Sequence, residues 1–131
     1  MAHDLKEIMD ALAEVFGTTC EPYRKGYSMT LRTGAGRTQT IRAMLKSRDG
    51  HEIMMVYTPV GKFDSYTDLS TLLSRNVETL YARVAVLEQS IIVMAASILE
   101  ETSLKEAQVA VEEVARVGDE LESQIFGVDQ H

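Results

Sequence analysis

Residues 69–99 read LSTLLSRNVETLYARVAVLEQSIIVMAASIL, and this stretch decides the fold of the chain. Leucines three and four residues apart predict a short amphipathic helix that ends near Asn76. Two apolar segments follow, Tyr81–Leu87 and Ser90–Leu99, and only two polar residues separate them. The pattern predicts a helix, a strand, a tight turn and a second strand, with the rest of the chain packed around this hairpin.

Upstream of this stretch, the apolar period changes from helical to strand-like. Residues 4–16 carry apolar side chains at spacings of three and four, which predicts one amphipathic helix. Across residues 23–58, apolar and polar side chains alternate, and turn signals at 33–36 and Asp49-Gly50 divide the region into three strands. The last of these, Glu52–Thr58, departs from alternation because its apolar residues point to both faces.

Downstream of the hairpin, Ser103 and Glu106 form a capping box that opens a long helix over Leu104–Phe126. Gly118 interrupts its apolar stripe and indicates a place where the helix lies close to the sheet. The predicted order is α-β-β-β-α-β-β-α. Strands grouped in hairpins with helices between them predict a single α+β domain over residues 1–131, with a mostly antiparallel five-stranded sheet.

Composition places the chain among ordinary globular proteins. It has 131 residues, 45% of them hydrophobic and 25% charged, and a net charge of −7. A single cysteine excludes an intrachain disulfide, and residues 1–16 do not resemble a secretion signal, so a cytoplasmic protein is expected. The apolar runs are too short to span a membrane. The negative charge argues against non-specific binding to nucleic acid.

No constellation of catalytic or metal-binding residues is visible in the sequence. His3 and His131 lie near the termini and His51 follows a turn, without the spacing of a metal site. Cys20 has no neighbouring histidine to activate it and is interpreted as an ordinary thiol. Residues 33–37, TGAGR, resemble a phosphate loop only superficially, because a strand follows them rather than a helix. A protein without enzymatic activity or cofactor is expected.

Basic residues are concentrated in the first two predicted strands, whereas the terminal helices carry most of the acids. One interpretation is a cationic sheet face that binds an acidic partner or a small ligand. The other is a solvated surface whose charges balance the acidic helices. The basic-face residues singled out are Arg32, Arg42 and Lys46.

The strands with apolar residues on both sides predict a second covered face of the sheet. An antiparallel sheet with helices on one side normally alternates, so a further layer is required. A symmetric partner subunit would supply it, and a helix of the same chain is the alternative. Asn76 is interpreted as a residue that bonds local backbone, with a ligand contact as the other possibility. The predicted dimer or partner interface consists of Met54, Val56, Ile92, Met94 and Ile98.

Several strings, together with the element order, resemble known families. They are IMMVYTPVG (53–61), LLSRN (72–76), LYARVAVLEQSIIVMAASIL (80–99) and SLKEAQVAVEEVARVGDEL (103–121). The chain resembles the YbjN-like family of bacterial proteins and, in element order, the class I type III secretion chaperones. The resemblance implies a small, acidic, cytoplasmic and often dimeric protein without enzymatic chemistry. The YbjN-like family, the closer match, implies a role in regulation, and the chaperones imply binding of a protein or peptide client. The basic second strand departs from the chaperones, which hold a client segment along apolar grooves.

Overall fold

The computed structural model describes residues 4–34, 36–64 and 67–126, and within these ranges the chain is α+β. Its helices are α1 (Leu5–Phe16), α2 (Leu69–Ser74) and α3 (Leu104–Leu121). Its strands are β1 (Glu21–Tyr23), β2 (Gly26–Gly34), β3 (Arg37–Arg48), β4 (His51–Lys62), β5 (Arg83–Leu87) and β6 (Ser90–Ile98). They form one antiparallel sheet in the order β1-β2-β3-β4-β6-β5. No helix in the described ranges is long and apolar enough to cross a membrane.

The sheet has six strands, so the prediction of five is wrong. The strand predicted to begin at Tyr23 is broken by a two-residue turn, and Tyr23 pairs with Gly26 across it. Arg24 turns the chain with a φ of 53°, a conformation that sequence patterns rarely assign to arginine. Gly26 is required because an added Cβ would lie 1.9 Å from the carbonyl oxygen of Ala43. The missing side chain lets the new hairpin lie against β3.

The other predicted hairpins are confirmed. Asp49 and Gly50 have φ of 54° and 79°, and Glu88 and Gln89 have φ of 50° and 69°. Positive φ at both central residues is the geometry of a type I′ turn, whose twist matches that of the flanking strands. The turn between β2 and β3 is closed by Gly34 pairing with Arg37, and Ala35 lies outside the described residues.

Helices α1 and α3 cover one face of the sheet. Their apolar stripes bury Met9, Leu12, Val111 and Val114 against side chains of the central strands. The predicted capping box of α3 is present, with both Ser103 and Glu106 bonded as expected. The α-helix ends at Leu121, earlier than predicted, and a π-helical turn follows over Glu122–Phe126. Residues 127–131, expected to be a frayed tail, lie outside the described residues.

Helix α3 lies close against the sheet at Gly118, as its glycine predicted. A Cβ on Gly118 would lie 2.5 Å from Cγ2 of Thr58, which is fully buried on β4. Next to it, the buried carboxylate of Asp119 accepts hydrogen bonds from Nε and Nη2 of Arg37 at 3.0 and 2.9 Å. The glycine and the ion pair together fix the end of α3 against β3 and β4.

The β5–β6 hairpin bends over the other face of the sheet. By register Leu87 lies beside Ser90 at the tip of the hairpin. Its side chain packs against a cluster of Met55, Tyr57 and Ile92, and it lines one cavity together with Tyr23 of the β1–β2 hairpin. Because β1 and β5 are the two opposite edges of the sheet, the strands must curve toward each other on this face, and a register shift between Pro59 and Gly61 in β4 relaxes the pairing near this end. This face therefore has a small apolar core of its own, to which no helix of the described ranges contributes.

Candidate partner-binding surfaces

We call the sheet surface opposite α1 and α3 the open face. No helix of the described ranges contributes to its apolar cluster. Its centre is apolar and its β2–β3 side is basic, so it offers both burial and charge to a partner. Strand register places on this face Arg32, Arg42, Met44, Lys46, Arg48, Ile53, Met55, Tyr57, Ala85, Leu87, Ile92, Met94, Ala96 and Ile98.

The predicted interface residues do not share one surface. Met54 and Val56 point toward the helices and are buried in the main core, so their assignment to an interface is wrong. Ile92 lies on the open face but is only 2% exposed, because the bent hairpin already covers it. Met94 and Ile98 are partly exposed and remain available to a partner. Contacts within one chain therefore bury part of the apolar residues on the two faces of β4 and β6.

The predicted basic-face residues Arg32, Arg42 and Lys46 all lie on the open face. The guanidinium of Arg42 stacks over the ring of Tyr23 at 4.3 Å from its centroid. Its Nε is buried and has no hydrogen-bond partner in the described part of the chain. Arg32 and Lys46 extend into solvent. The three basic residues therefore lie on one face of the sheet, while their role in binding stays a prediction.

Two cavities lie on the open face, and Leu87 lines both of them. The first, of about 280 Å³, lies between the β1–β2 hairpin and the tip of the β5–β6 hairpin. The second, of about 400 Å³, is bordered by Lys46 and Arg48 and floored by Met94 and its neighbours. Because methionine is flexible and polarisable, such a floor adapts to ligands of different shape.

A second apolar surface lies on α2 and the turn that follows it, and we call it the α2 stripe. Sequence periodicity predicted that this helix buries its leucines, but of these only Leu72 is buried. Val77 is 88% exposed and Leu80 is 69% exposed. Apolar spacing alone could not reveal this, because a buried and an exposed stripe have the same period. The α2 stripe consists of Leu69, Leu73, Val77 and Leu80.

Two side chains hold the segment between α2 and β5 in place. The Oδ1 of Asn76 accepts a hydrogen bond from the Val84 amide at 2.6 Å, and its Nδ2 donates to the Val84 carbonyl at 3.3 Å. Asn76 thus bonds backbone, but on β5, eight residues along the chain, rather than locally at the end of its helix as predicted. It occupies the outer edge of β5. From α3, the Glu113 carboxylate accepts three backbone N–H groups, those of Leu80, Tyr81 and Ala82. Sequence reasoning did not identify this role of Glu113.

The opposite edge of the sheet is partly free. Strand β1 pairs with β2 only from Gly26 to Ser28. In a two-residue hairpin the residues that flank the turn exchange hydrogen bonds, so alternate residues of β2 direct their amides outward. By this alternation Thr30 and Arg32 present backbone groups that pair with no strand of the described ranges. An extended segment has hydrogen-bonding groups available at this edge.

The histidines and the cysteine are not brought together in the described part of the chain. His51 lies exposed beside its turn, and no group of three metal-ligating side chains occurs in the described ranges. Burial raises the pKa of the Cys20 thiol, and the nearby Asp10 carboxylate raises it further, so the thiolate is disfavoured. His3 and His131 lie outside the described residues.

Comparison with known proteins adds no family assignment, since no protein-family model and no curated protein sequence matches the chain. The function of the protein is therefore inferred from the open face and the α2 stripe.

Proposed function

We propose that the protein is a non-enzymatic, homodimeric module that binds a protein or peptide partner through the open face. The observation that carries this proposal is an apolar, partly exposed sheet surface bordered by Arg32, Arg42 and Lys46. A partner that combines apolar and acidic side chains complements both features. The resemblance to YbjN-like proteins and secretion chaperones supports the same class of function, and the cytoplasm is its expected location.

For the homodimer, the α2 stripe is favoured over the open face. Exposed positions beside the stripe include the uncharged Ser70, Thr71 and Ser74, and Glu78 forms an ion pair with Arg75 of the same chain. A second copy therefore brings fewer like charges together there than on the open face. Two open faces would place Lys46 and its basic neighbours against their own copies, which is electrostatically unfavourable. Self-association through the α2 stripe would also leave the open face accessible to a partner.

The dimer is tested by comparing two aspartate variants. Val77→Asp introduces a charge into the α2 stripe and is expected to weaken dimerisation at least tenfold, whereas Met94→Asp leaves it unchanged. Sedimentation equilibrium of both variants and of the unmodified chain gives the masses. A monomeric unmodified chain would contradict the homodimer, and the reverse behaviour of the variants would place the interface on the open face. Ile92→Asp is unsuitable because that side chain is buried within one chain.

Partner binding is tested with a labelled peptide in which glutamate alternates with leucine. The free β2 edge and the apolar floor favour an extended segment, and the cations favour its carboxylates. The double variant Arg32→Glu and Lys46→Glu is expected to weaken binding at least tenfold, measured by fluorescence anisotropy. Lys6→Glu with Lys105→Glu, two exposed changes on α1 and α3, is the charge-matched control. Equal binding by both variants would show that the basic face does not select acidic partners.

A second candidate function is a regulatory domain that binds a small ligand through the same basic face. The cavity beneath the β1–β2 hairpin favours it, because this cavity combines apolar walls with Arg24 and Lys25. A ligand there would lie next to the partner-binding surface and could alter its shape.

A further inference from the structure

The 280 Å³ cavity of the open face is built by two hairpins that are distant in sequence. Tyr23, Arg24 and Lys25 border it on one side, and Leu87 and Glu88 close the other. The floor is formed by strands β3 and β4 through Met44 and Tyr57. Because both hairpins reach over the sheet, the cavity has walls on several sides, as ligand sites do.

The cavity carries positive charge that the described residues do not neutralise. Arg24 and Arg42 both lie over the Tyr23 ring, at 5.3 and 4.3 Å from its centroid. Neither they nor Lys25 forms an ion pair with any described residue. Glu88 at the rim is the acid that lines the cavity. Like charges held around one ring repel each other, and a bound anion would remove this repulsion.

Arg42 adds positive charge behind one wall of the cavity. It does not line the cavity itself, but its guanidinium stacks on the ring of Tyr23, which does. Its Nε is buried and has no hydrogen-bond partner among the residues described. The cations that line the cavity are Arg24 and Lys25, and both can approach a carboxylate bound there.

The size and the walls of the cavity limit the ligand. A volume of about 280 Å³ equals roughly nine water molecules at about 30 Å³ each, which suits one ring or a short chain. Met44, Tyr57 and Leu87 supply apolar contacts for the body of such a molecule. A polyphosphate would leave these walls uncovered and bring Glu88 close to several negative charges.

We propose that this cavity binds a small carboxylate with a compact apolar body, such as a single aromatic ring or a short acyl chain. The inference extends the second candidate function by naming its ligand class. The apolar body occupies the space between Tyr57 and Leu87, and the carboxylate lies toward the cationic groups of Arg24 and Lys25.

The test is titration of the isotope-labelled protein with phenylacetate and octanoate, followed by amide chemical shifts. Shifts are expected at 23–26, Met44, Tyr57 and 87–88, and the neutral phenylacetamide should bind at least tenfold more weakly. The relative affinities of the two carboxylates distinguish an aromatic from an acyl ligand. Arg24→Ala with Lys25→Ala should weaken binding at least tenfold, whereas Lys6→Ala with Lys105→Ala, two exposed changes on the helices, leaves it unchanged.

Three results would overturn the proposal: no saturable binding at millimolar concentration, shifts scattered over the surface, or equal binding of phenylacetate and phenylacetamide. Circular dichroism of the Arg24→Ala, Lys25→Ala variant establishes that a loss of binding is not a loss of fold. The mass of the same samples and their anisotropy with the acidic peptide report separately on the dimer and on partner binding. Failure of the ligand proposal is therefore distinguishable from failure of the proposed function.

Discussion

Replacing Glu113 by alanine is expected to lower the free energy of unfolding by about 3 kcal/mol. The carboxylate accepts N–H groups from three consecutive residues, at 2.9 Å for Leu80, 2.6 Å for Tyr81 and 2.8 Å for Ala82. Hydrogen bonds to a charged group contribute about 1.5–3 kcal/mol each. The total is reduced because Leu80 and Tyr81 are exposed and their amides regain water. Urea denaturation of both proteins measures the difference.

Glu112→Ala is the matched control for this prediction, because Glu112 is the exposed neighbour on the same helix. Its removal is expected to change stability by less than about 0.5 kcal/mol. A similar loss in both variants would show that helix charge, rather than the three amides, explains the effect of Glu113.

The same site predicts a dependence of stability on pH. Burial raises the pKa of Glu113, but the three backbone hydrogen bonds and Arg116 outweigh it and hold the pKa below its usual range. A carboxyl whose pKa is lower in the folded state stabilises the fold above its unfolded value of about 4.3, and this contribution disappears as the pH falls through the folded value. Between neutral and acidic pH, the free energy of unfolding of the Glu113→Gln variant should therefore fall less than that of the unmodified chain.

Local signals explain why much of the fold could be predicted from the sequence. The turn at Asp49-Gly50 and the cap at Ser103 depend on residues close together in the chain, and both are present. The break after Tyr23 was missed because Arg24 adopts a positive φ without glycine or asparagine to indicate it. What holds that turn in place is the contact of Gly26 with β3, which is not local.

The candidate site was predicted only in part, for a related reason. In β4 both Val56 and Tyr57 are apolar, so alternation could not decide which of them faces the helices. The curvature that carries Leu87 over the sheet depends on strand twist and on the shift near Pro59, neither of which leaves a clear pattern. In contrast, Arg42 and Lys46 were correctly placed on one face because they are four residues apart, an even number, in a regular strand.

Position 118 offers a test of how closely α3 must approach the sheet. Gly118→Ala is expected to lower the free energy of unfolding by about 2 kcal/mol, although alanine favours a helix over glycine by about 1 kcal/mol. The new methyl would lie 2.5 Å from Cγ2 of Thr58, a branched and fully buried side chain that has no free space to move into. Overpacking therefore outweighs helix propensity, and thermal or urea unfolding measures the net loss.

A second substitution identifies the atom responsible. Thr58→Ser removes Cγ2 but keeps the hydroxyl, which donates to the Thr40 carbonyl at 2.7 Å and accepts from Gln39 Nε2 at 3.2 Å. In the Thr58→Ser variant, Gly118→Ala should leave the free energy of unfolding unchanged or raise it. The coupling energy between the two positions would then be about 2 kcal/mol or more. An unchanged cost would mean that the alanine collides elsewhere, with Gln39 the nearest other side chain. Rescue would instead show that the glycine is present because β4 carries a threonine methyl under the helix.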